Sequence, residues 1–537
     1  LCLGLRLSLL LLGYLTALLF PPYPHHFYYL LFPTLRPFVI NIAYGTLLLV
    51  VARYSHSFHV PSFRHPPFFS CCAGSGLCWT RRQTAQNVTT SNSTTSNSNV
   101  TLTTATIVPL TLASDKQTYY SVISAGNVSF RVAFDTASSD LWVVSSGCDT
   151  AQCKSLPRYP LTYDSPSFVS VNSNATTFNV SFADTTSASG FIAEETITLG
   201  GLTLPQQAFG LMNSTNVSFV DQVSGIFGLG FPRLSGIHSL ATNATPFFAR
   251  LAQHGQLDYP LFGVSLERNA SFGSLSIGAV DSTIVTNASL IEWNEIAPFE
   301  PFGSESNASS YLQWAVPISN ITVGTQTFTL EPTYPQANAN HSVALFDIGT
   351  SGIFGPYQDV ERLFSVFDGS RLVDTTGQWA IPCDTNLTMT FTFRQNYTLL
   401  PSNYIIGPTA GEPALCLTWP KASPPSSDGI DWQIGSAFLQ TVYTVFSYGI
   451  VNKEPPLIGL YSRQPTPVVP LPPASLSALF SSLSLTVPTT LPNFVLPTPT
   501  LTTPSYLFNA SVPTSISLLA TLRHLHIRQS LRMLRTA

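Results

Sequence analysis

The chain has 537 residues, more than one ordinary domain needs, and only 9% of them are charged. All 27 acidic residues lie between Asp115 and Glu454, where twelve basic residues leave a formal charge of −15, whereas the flanks contain eleven arginines and no acid. An acidic central region lacks the basic patches that nucleic-acid binding requires, which excludes nucleic acid as a partner and suits a protein working in acidic surroundings.

The N-terminal segment, residues 1–56, is predominantly apolar. Residues 1–20 contain a single charged side chain, Arg6, and this pattern predicts a signal peptide or signal anchor. A second apolar run, residues 38–52, is fifteen residues long and therefore short for a membrane span. Membrane anchoring stays open for this segment, and the lack of acidic residues equally favours a mistranslated flank.

Residues 57–104 form a predicted leader or propeptide. Arg81 and Arg82 make a dibasic pair of the kind that processing proteases cut, although an incidental pair is an equal alternative. Residues 87–104 consist almost entirely of Ser, Thr and Asn, a composition typical of a flexible, glycosylated segment.

Glycosylation signals and cysteines indicate the route the protein takes. Seventeen Asn-x-Ser/Thr sequons run from Asn87 to Asn509, and twelve of them lie between Asn127 and Asn386. The chain also has eight cysteines. Together these features favour the secretory pathway, and we predict a secreted, extracellular glycoprotein.

From residue 105 the pattern changes to short strands, and residues 134–144 combine two apolar runs with one aspartate between them. Apolar residues lead into Asp135, small hydroxyl residues follow it, and a second apolar run leaves. This pattern places Asp135 in a tight loop between two buried strands. A buried carboxylate is unfavourable unless it is hydrogen-bonded or paired. Taken alone, such a loop is more typical of an ordinary Asx turn.

Further elements follow the first loop. The sequence predicts a hairpin with arms at Phe178–Phe182 and Gly190–Leu199, and a glycine-rich stretch at Val223–Gly230. A helix is predicted at Pro246–Gln253, with Thr245 as its N-cap. Strands that join two halves of the chain are predicted at residues 274–277, 290–293 and 314–318.

The same aspartate pattern recurs 212 residues later, in residues 344–354 around Asp347. A helix is predicted at residues 356–367. Residues 431–439 are expected to pack behind Asp347, and strands at residues 443–448 and 457–461 are expected to complete the sheet. Two copies of the loop in one chain favour a functional carboxylate pair over two unrelated turns. Residues 463–537 become rich in Pro, Ser and Thr, which predicts a disordered linker or glycosylated stalk.

With both loops in place, the chain resembles the pepsin-like aspartic endopeptidases, and especially the secreted fungal, polyporopepsin-like acid proteases. The resemblance covers residues 105–462. It implies an all-β dominated, bilobal fold, in which two β-barrel-like lobes, residues 105–295 and 296–462, enclose a cleft. It also implies a monomer that cleaves polypeptide substrates in acid, with no cofactor and no metal.

The resemblance assigns roles to residues of this sequence. The two aspartates would share a water molecule, one ionised and the other protonated. The implied catalytic residues are Asp135 and Asp347, and the residues that support their loops are Thr136, Ser138, Gly349 and Thr350. The resemblance places Phe182 and Asp184 on a flap over the cleft, with Trp142 beneath that flap. It also implies two disulfides, Cys148–Cys153 and Cys383–Cys416. We expect Phe182, Trp142 and Ile353 to line the cleft and to favour apolar substrates.

Some positions depart from the family pattern. Ile348 stands where a hydroxyl residue normally ties the two loops together, and Ala137 replaces a glycine. Phe182 replaces a tyrosine whose hydroxyl usually reaches the tryptophan. These departures leave open a second hypothesis, a catalytically impaired pepsin-like binding protein. A glycosylated structural protein is a further, weaker alternative. A Ser-His-Asp hydrolase or a glycosidase would not explain the repeated loops.

Overall fold

The computed structural model describes residues 105–241, 244–268, 273–298, 311–336, 339–450, 453–464 and 468–506. The predicted N-terminal segment and leader, with four of the cysteines, lie outside these residues, and so do residues 507–537. Among the described residues no helix is both long and apolar enough to cross a membrane.

Strands dominate the described residues, as predicted. The first half contains β1 (Thr106–Leu112), β2 (Tyr119–Ala125), β3 (Val128–Asp135), β4 (Leu141–Val144), β5 (Val169–Ser170), β6 (Thr177–Ser181), β7 (Ser187–Leu199), β8 (Leu202–Thr215), β9 (Val223–Gly228), β10 (Leu261–Ser265), β11 (Gly273–Ile277) and β12 (Glu292–Glu295). The second half contains β13 (Ala315–Ile318), β14 (Asn320–Val323), β15 (Gln326–Thr329), β16 (Ser342–Phe346), β17 (Ile353–Pro356), β18 (Arg371–Leu372), β19 (Trp379–Pro382), β20 (Met389–Thr392), β21 (Asn396–Leu399), β22 (Ile405–Pro408), β23 (Leu415–Thr418), β24 (Lys421–Ser423), β25 (Trp432–Ile434), β26 (Val442–Ser447) and β27 (Leu457–Ser462).

The helices are short. They are α1 (Ala151–Lys154), α2 (Gly236–Leu240), α3 (Phe247–Gln253), α4 (Tyr357–Phe364), α5 (Pro401–Tyr404), α6 (Ser436–Leu439) and α7 (Pro473–Ser482), with 3₁₀ turns at Val171–Asn174, Pro232–Leu234 and Ala288–Leu290. Two predicted helices begin later than expected, because Pro246 and Pro356 have extended backbone and precede α3 and α4. The strand predicted from residue 290 begins at Glu292, since Leu290 lies in a 3₁₀ turn.

One long sheet connects the two halves of the chain. Its strand order is β12-β27-β26-β10-β11-β1-β2-β3-β9-β4-β8-β7-β5, with β6 beside β7. Strand β26, from the second half, pairs antiparallel with β10, from Leu261 opposite Ser447 to Ser265 opposite Tyr443. The final strands of the second half therefore join the sheet of the first half, and the lobe boundary near residue 295 stays a prediction.

Each aspartate loop has the same strand environment. Strand β3 runs parallel to β9, with Phe134 opposite Phe227, and β16 runs parallel to β25, with Phe346 opposite Ile434. The strands that leave the loops, β4 and β17, pair antiparallel with the same two partners. The duplicated sequence motif thus corresponds to a duplicated local fold.

Glycines allow each loop to lie directly against its partner strand. A Cβ atom at Gly228 would lie 2.4 Å from the carbonyl carbon of Ser139, and one at Gly435 would lie 2.1 Å from the carbonyl oxygen of Thr350. Any side chain at these positions would displace the loop. The prediction that glycines permit close backbone approach here is confirmed.

An aromatic core lies between the first loop and the shared sheet. The Trp314 ring is 4.2 Å from that of Phe231, centroid to centroid, and its Nε1 donates to the carbonyl of Leu229 at 2.9 Å. The hydroxyl of Tyr448 donates to the same carbonyl at 2.9 Å. Residues from the second half therefore fix the backbone that follows β9, where the N–H of Leu229 donates to the carbonyl of Asp135.

The C-terminal tail corrects the prediction of a disordered linker for residues 468–506. In α7, Leu476 and Phe480 are 0% and 3% exposed, because their i, i+4 spacing presents both to the protein. The backbone N–H of Val487 then donates to the carbonyl of Pro408 at 2.9 Å, and Val487 pairs with Thr409 in a parallel bridge. Apolar residues inside a Pro/Ser-rich composition thus produce a docked segment.

Candidate active site

Asp135 ends β3 and is 8% exposed. Its Oδ1 accepts a hydrogen bond from the backbone N–H of Ala137 at 2.8 Å, and its Oδ2 accepts one from the hydroxyl of Ser138. The replacement of a glycine by Ala137 therefore leaves this backbone donor in place. Two donors within the same loop satisfy a carboxylate that burial would otherwise disfavour.

Asp347 follows β16 and is 3% exposed. Its Oδ1 accepts from the backbone N–H of Gly349 at 2.8 Å, and its Oδ2 accepts from the hydroxyl of Thr350 at 2.7 Å. The offsets of two and three residues repeat those of the first loop. The structure therefore places Ser138 and Thr350 where the resemblance implied.

The two carboxyl groups lie side by side. A Cβ atom at Gly349 would be 3.1 Å from Oδ1 of Asp135 and 3.2 Å from Oδ1 of Asp347, so a side chain at this position would crowd both groups. Burial raises the pKa of Asp135, and the adjacent charge of Asp347 and a hydrogen bond with it raise that pKa further. Such a pair holds one proton between two carboxyl groups over a wide pH range.

Thr136 connects the two loops. Its hydroxyl donates to the carbonyl of Phe346 at 2.9 Å and accepts from the backbone N–H of Ile348 at 3.1 Å. Ile348 is 1% exposed and packs in the apolar core. The hydroxyl of Thr136, from the first loop, therefore makes both hydrogen bonds to the second loop. The side chain of Ile348, from the second loop, contributes only apolar packing.

The predicted hairpin is formed by β6 and β7, whose last pair before the tip is Ser181 opposite Ser187. At the tip, the N–H of Phe182 donates to the carbonyl of Thr186 at 2.8 Å. The half-buried Phe182 ring lies 6.4 Å from the ring of the buried Trp142, so the two aromatic groups predicted to meet are brought together.

Asp184 and Thr185 shape the tip of this hairpin. The exposed carboxylate of Asp184 accepts from the backbone N–H of Thr186 at 2.9 Å and from its hydroxyl at 2.6 Å. Thr185 has a φ of 70°, a left-handed conformation that is unfavourable for a β-branched residue. A glycine would adopt this conformation without strain, so Thr185 locally destabilises the hairpin tip.

Both predicted disulfides are present, Cys148–Cys153 and Cys383–Cys416. Cys148, Cys153 and Cys416 are fully buried. The first bridge closes a loop directly after the first motif, and the second spans 33 residues of the second half.

The expected cleft lining needs one correction. Ile353 is 0% exposed and pairs with Ile434 in the core, so it faces no cleft. The sequence correctly placed it next to the second loop. However, alternation in a strand that is buried on both faces does not distinguish a core position from a lining position.

Sequence reasoning missed two polar side chains at the loops. Gln433, in β25, contacts Asp347 directly, with Nε2 donating to Oδ2 at 2.9 Å. Asp140 accepts from the hydroxyl of Ser235 and from the backbone N–H of Gly236 at 2.7 Å, at the start of α2. Burial raises the pKa of Asp140 to about 6. A polar residue in an otherwise apolar strand was the available signal for Gln433.

Comparison with known proteins gives this site its context. The family model described as eukaryotic aspartyl protease matches residues 118–453, which include both loops and the hairpin. The chain belongs to the eukaryotic aspartyl protease family. The predictions of a pepsin-like aspartic endopeptidase and of a β-dominated fold are confirmed.

Individual relatives of this aspartyl protease come from fungi and animals. The chain is 27% identical to the aspartic protease of Phaffia rhodozyma over 348 residues, covering 63% of this chain and 76% of the relative. It is 26% identical to the major aspartyl peptidase 1 of Cryptococcus neoformans var. grubii over 350 residues, with coverages of 64% and 68%. Identity to human gastricsin is 30% over 346 residues, with coverages of 62% and 79%.

Proposed function

We propose that this aspartic endopeptidase cleaves polypeptides by activating water between Asp135 and Asp347. The observation that carries the proposal is the position of the two carboxyl groups, which lie next to each other beside Gly349 with matched hydrogen bonds from their own loops. The pair occupies the junction of two equivalent strand arrangements. Because the chain belongs to a family of proteases, polypeptides are the expected class of substrate.

The chemistry follows from one shared proton. The ionised carboxylate takes a proton from the bound water as its oxygen attacks the scissile carbonyl carbon. The protonated carboxyl group gives its proton to the carbonyl oxygen, which yields a tetrahedral diol. The carboxyl group that took the water proton then gives it to the peptide nitrogen, the other carboxylate takes a proton from the diol, and the C–N bond breaks to release an amine and a carboxylic acid. Activity in acid is expected, because the raised pKa of Asp135 keeps one proton on the pair.

Three features support a working enzyme over an impaired binding protein. Ala137 retains the backbone donor to Asp135, Thr136 still connects the loops, and Phe182 still packs on the tryptophan ring. The half-buried Phe182 ring at the hairpin supports a preference for apolar substrate side chains. We further propose that the enzyme acts as a monomer.

Secretion is the proposed destination. Its support is the pair of disulfides together with sequons whose asparagines are exposed. These exposed asparagines are Asn127, Asn174, Asn179, Asn213, Asn216, Asn287, Asn340, Asn386 and Asn396. The proposal is tested by expressing the chain in a eukaryotic host and treating the medium with an N-glycosidase. Protein that stays inside the cells, or that shows no change in mobility, argues against it.

The experiment that tests catalysis is a peptide-cleavage assay between pH 2 and 8 (about the range in which a carboxylate pair titrates). Asp135→Asn and Asp347→Asn should each abolish cleavage, and Asp258→Asn, at an exposed carboxylate of the first half, should not. Cleavage that survives either active-site change would refute the mechanism. A folded wild-type protein that binds peptides without cleaving them would favour the binding-protein hypothesis.

A further inference from the structure

Gln433 forms a closed hydrogen-bonded triangle with the second aspartate loop. Its Nε2 donates to Oδ2 of Asp347 at 2.9 Å and to Oγ1 of Thr350 at 2.7 Å, while the Thr350 hydroxyl donates to the same Oδ2 at 2.7 Å. The amide orientation follows from this network. The Thr350 proton is already given to Asp347, so both acceptors need a donor, and only the NH₂ end of the amide supplies two.

Among the residues that the structure describes, the first loop has no equivalent of this donor. Gln433 lies opposite Phe354 in the pairing of β25 with β17, and the corresponding position in the pairing of β9 with β4 is Ile226, opposite Trp142. An isoleucine side chain cannot donate a hydrogen bond. Gln433 therefore introduces a chemical difference between two loops whose backbones are otherwise matched.

We propose that Gln433 is a positioning residue that makes Asp347 the ionised member of the pair and leaves Asp135 to carry the proton. The inference rests on the proposed catalytic role of the two aspartates and adds the assignment of their states. It also assigns steps: Asp347 takes the proton from water, and Asp135 protonates the carbonyl oxygen of the substrate.

The physical reason is the number and direction of donors at each carboxylate. Asp347 accepts from Gly349, Thr350 and Gln433, all three of which favour a charged acceptor. Asp135 accepts from Ala137 and Ser138. The pair shares one negative charge, so an additional donor on one side attracts that charge to its own side.

The charged surroundings do not reverse this difference. The titratable group in contact with Asp347 is Asp135, on the facing loop. Asp140 belongs to the first loop, but its carboxylate points to Ser235 and the start of α2. From β25, the element packed behind Asp347, the contact comes from the neutral amide of Gln433.

The test compares pH profiles of kcat and kcat/KM for the wild type, Gln433→Met and Gln433→Glu. Methionine keeps the length of the side chain without a donor, and glutamate replaces the donor with a third carboxyl group at the site. The acid limb of the profile should move up by about one pH unit in the methionine variant, the value of one lost bond to a charged group. It should move further in the glutamate variant. Gln326→Met, at an exposed strand position, is the matched control.

The outcomes separate this inference from the proposed function. If Asp135→Asn and Asp347→Asn abolish cleavage and the acid limb is unmoved in both Gln433 variants, the inference fails and the catalytic pair stands. A fall in kcat or in melting temperature that is equal at every pH indicates a purely structural role and also overturns it. If Asp347→Asn retains cleavage, the proposed function itself fails.

Discussion

The backbone N–H of Ile348 donates a hydrogen bond to the side-chain oxygen of Thr136 at 3.1 Å, across the two loops that bear the aspartates. The same hydroxyl donates to the carbonyl of Phe346 at 2.9 Å. Thr136 is completely buried, so water cannot replace it as a partner. The register between the loops thus depends strongly on one side chain.

Thr136→Val should lower the free energy of unfolding by about 1–3 kcal/mol, because two buried backbone groups lose their partner. Cleavage should fall as well, since the loops lose their register. Thr136→Ser keeps the hydroxyl and serves as the control. Thermal unfolding and peptide cleavage measure both effects, and a valine variant as stable as the serine variant would contradict this account of the loop connection.

Gly349→Ala should reduce kcat without unfolding the protein. The new methyl group would lie 3.1 Å from Oδ1 of Asp135 and 3.2 Å from Oδ1 of Asp347, so the carboxyl groups would have to shift by a few tenths of an ångström. A displacement of this kind lowers turnover by about 10- to 100-fold. Steady-state kinetics and a melting curve on the same preparation test this, and unchanged kcat would show that the pair tolerates the methyl group.

Asp140 should make the fold more stable in acid than at neutral pH. Burial raises its pKa to about 6 in the folded protein, from an ordinary value of 3.8, so this contribution is complete below about pH 4 and is lost as the pH rises through 6. Asp140→Asn keeps an acceptor and cannot ionise. Its melting temperature should therefore fall less between pH 4 and pH 7 than that of the wild type.

The matched control for this pH effect is Asp258→Asn, at an exposed carboxylate. At neutral pH the free energy of unfolding of the Asp140 variant and that of the wild type should differ by about 1 kcal/mol. The difference is small because Asp140 is partly exposed, which weakens the effect of its raised pKa. Parallel pH–stability curves for the wild type and the Asp140 variant would show that Asp140 is not titrating in this range.

Phe182→Ala should weaken substrate binding more than stability. The Phe182 ring packs 6.4 Å from Trp142 at the base of the hairpin tip, and its loss removes an aromatic contact of about 0.5–1.5 kcal/mol together with apolar surface. We expect kcat/KM to fall roughly tenfold. Phe182→Tyr preserves the ring and should retain activity. Equal losses in the alanine and tyrosine variants would exclude a role for ring packing.

Leu476→Ala should destabilise the protein by about 2–5 kcal/mol, because Leu476 is 0% exposed in α7. Leu471→Ala is the control, at a leucine of the same tail that is 38% exposed. Denaturant unfolding followed by fluorescence compares the two. Identical midpoints would mean that the tail does not contribute to stability.

The sequence predicted the features that depend on local pattern. The apolar runs around Asp135 and Asp347 require buried strands, and glycines such as Gly228 mark close backbone approach. The hairpin was also predicted from the pattern, whereas both disulfides were implied by the family resemblance.

Features that depend on tertiary packing could not be read from the pattern. The bond from Gln433 to Asp347 joins residues 86 apart, so a polar residue in the apolar strand β25 marks Gln433 as unusual but does not identify Asp347 as its partner. The docking of residues 468–506 likewise depends on two buried side chains that composition alone conceals. The assignment of Ile353 to the cleft was wrong because its pairing with β25 buries it, and its neighbours in sequence do not show that pairing.

The docked tail has a consequence for how the protein behaves at high concentration. Strand β22 is the last strand of the sheet β18-β19-β23-β22, and such an edge offers free backbone groups to any other strand. Leu485 crosses this edge so closely that a Cβ atom at Gly407 would lie 1.8 Å from its carbonyl oxygen, and Val487 bonds the next residue, Pro408. The tail therefore occupies an edge that could otherwise pair with another strand. Its removal would first appear as concentration-dependent aggregation, in preparations whose cleavage chemistry is still intact.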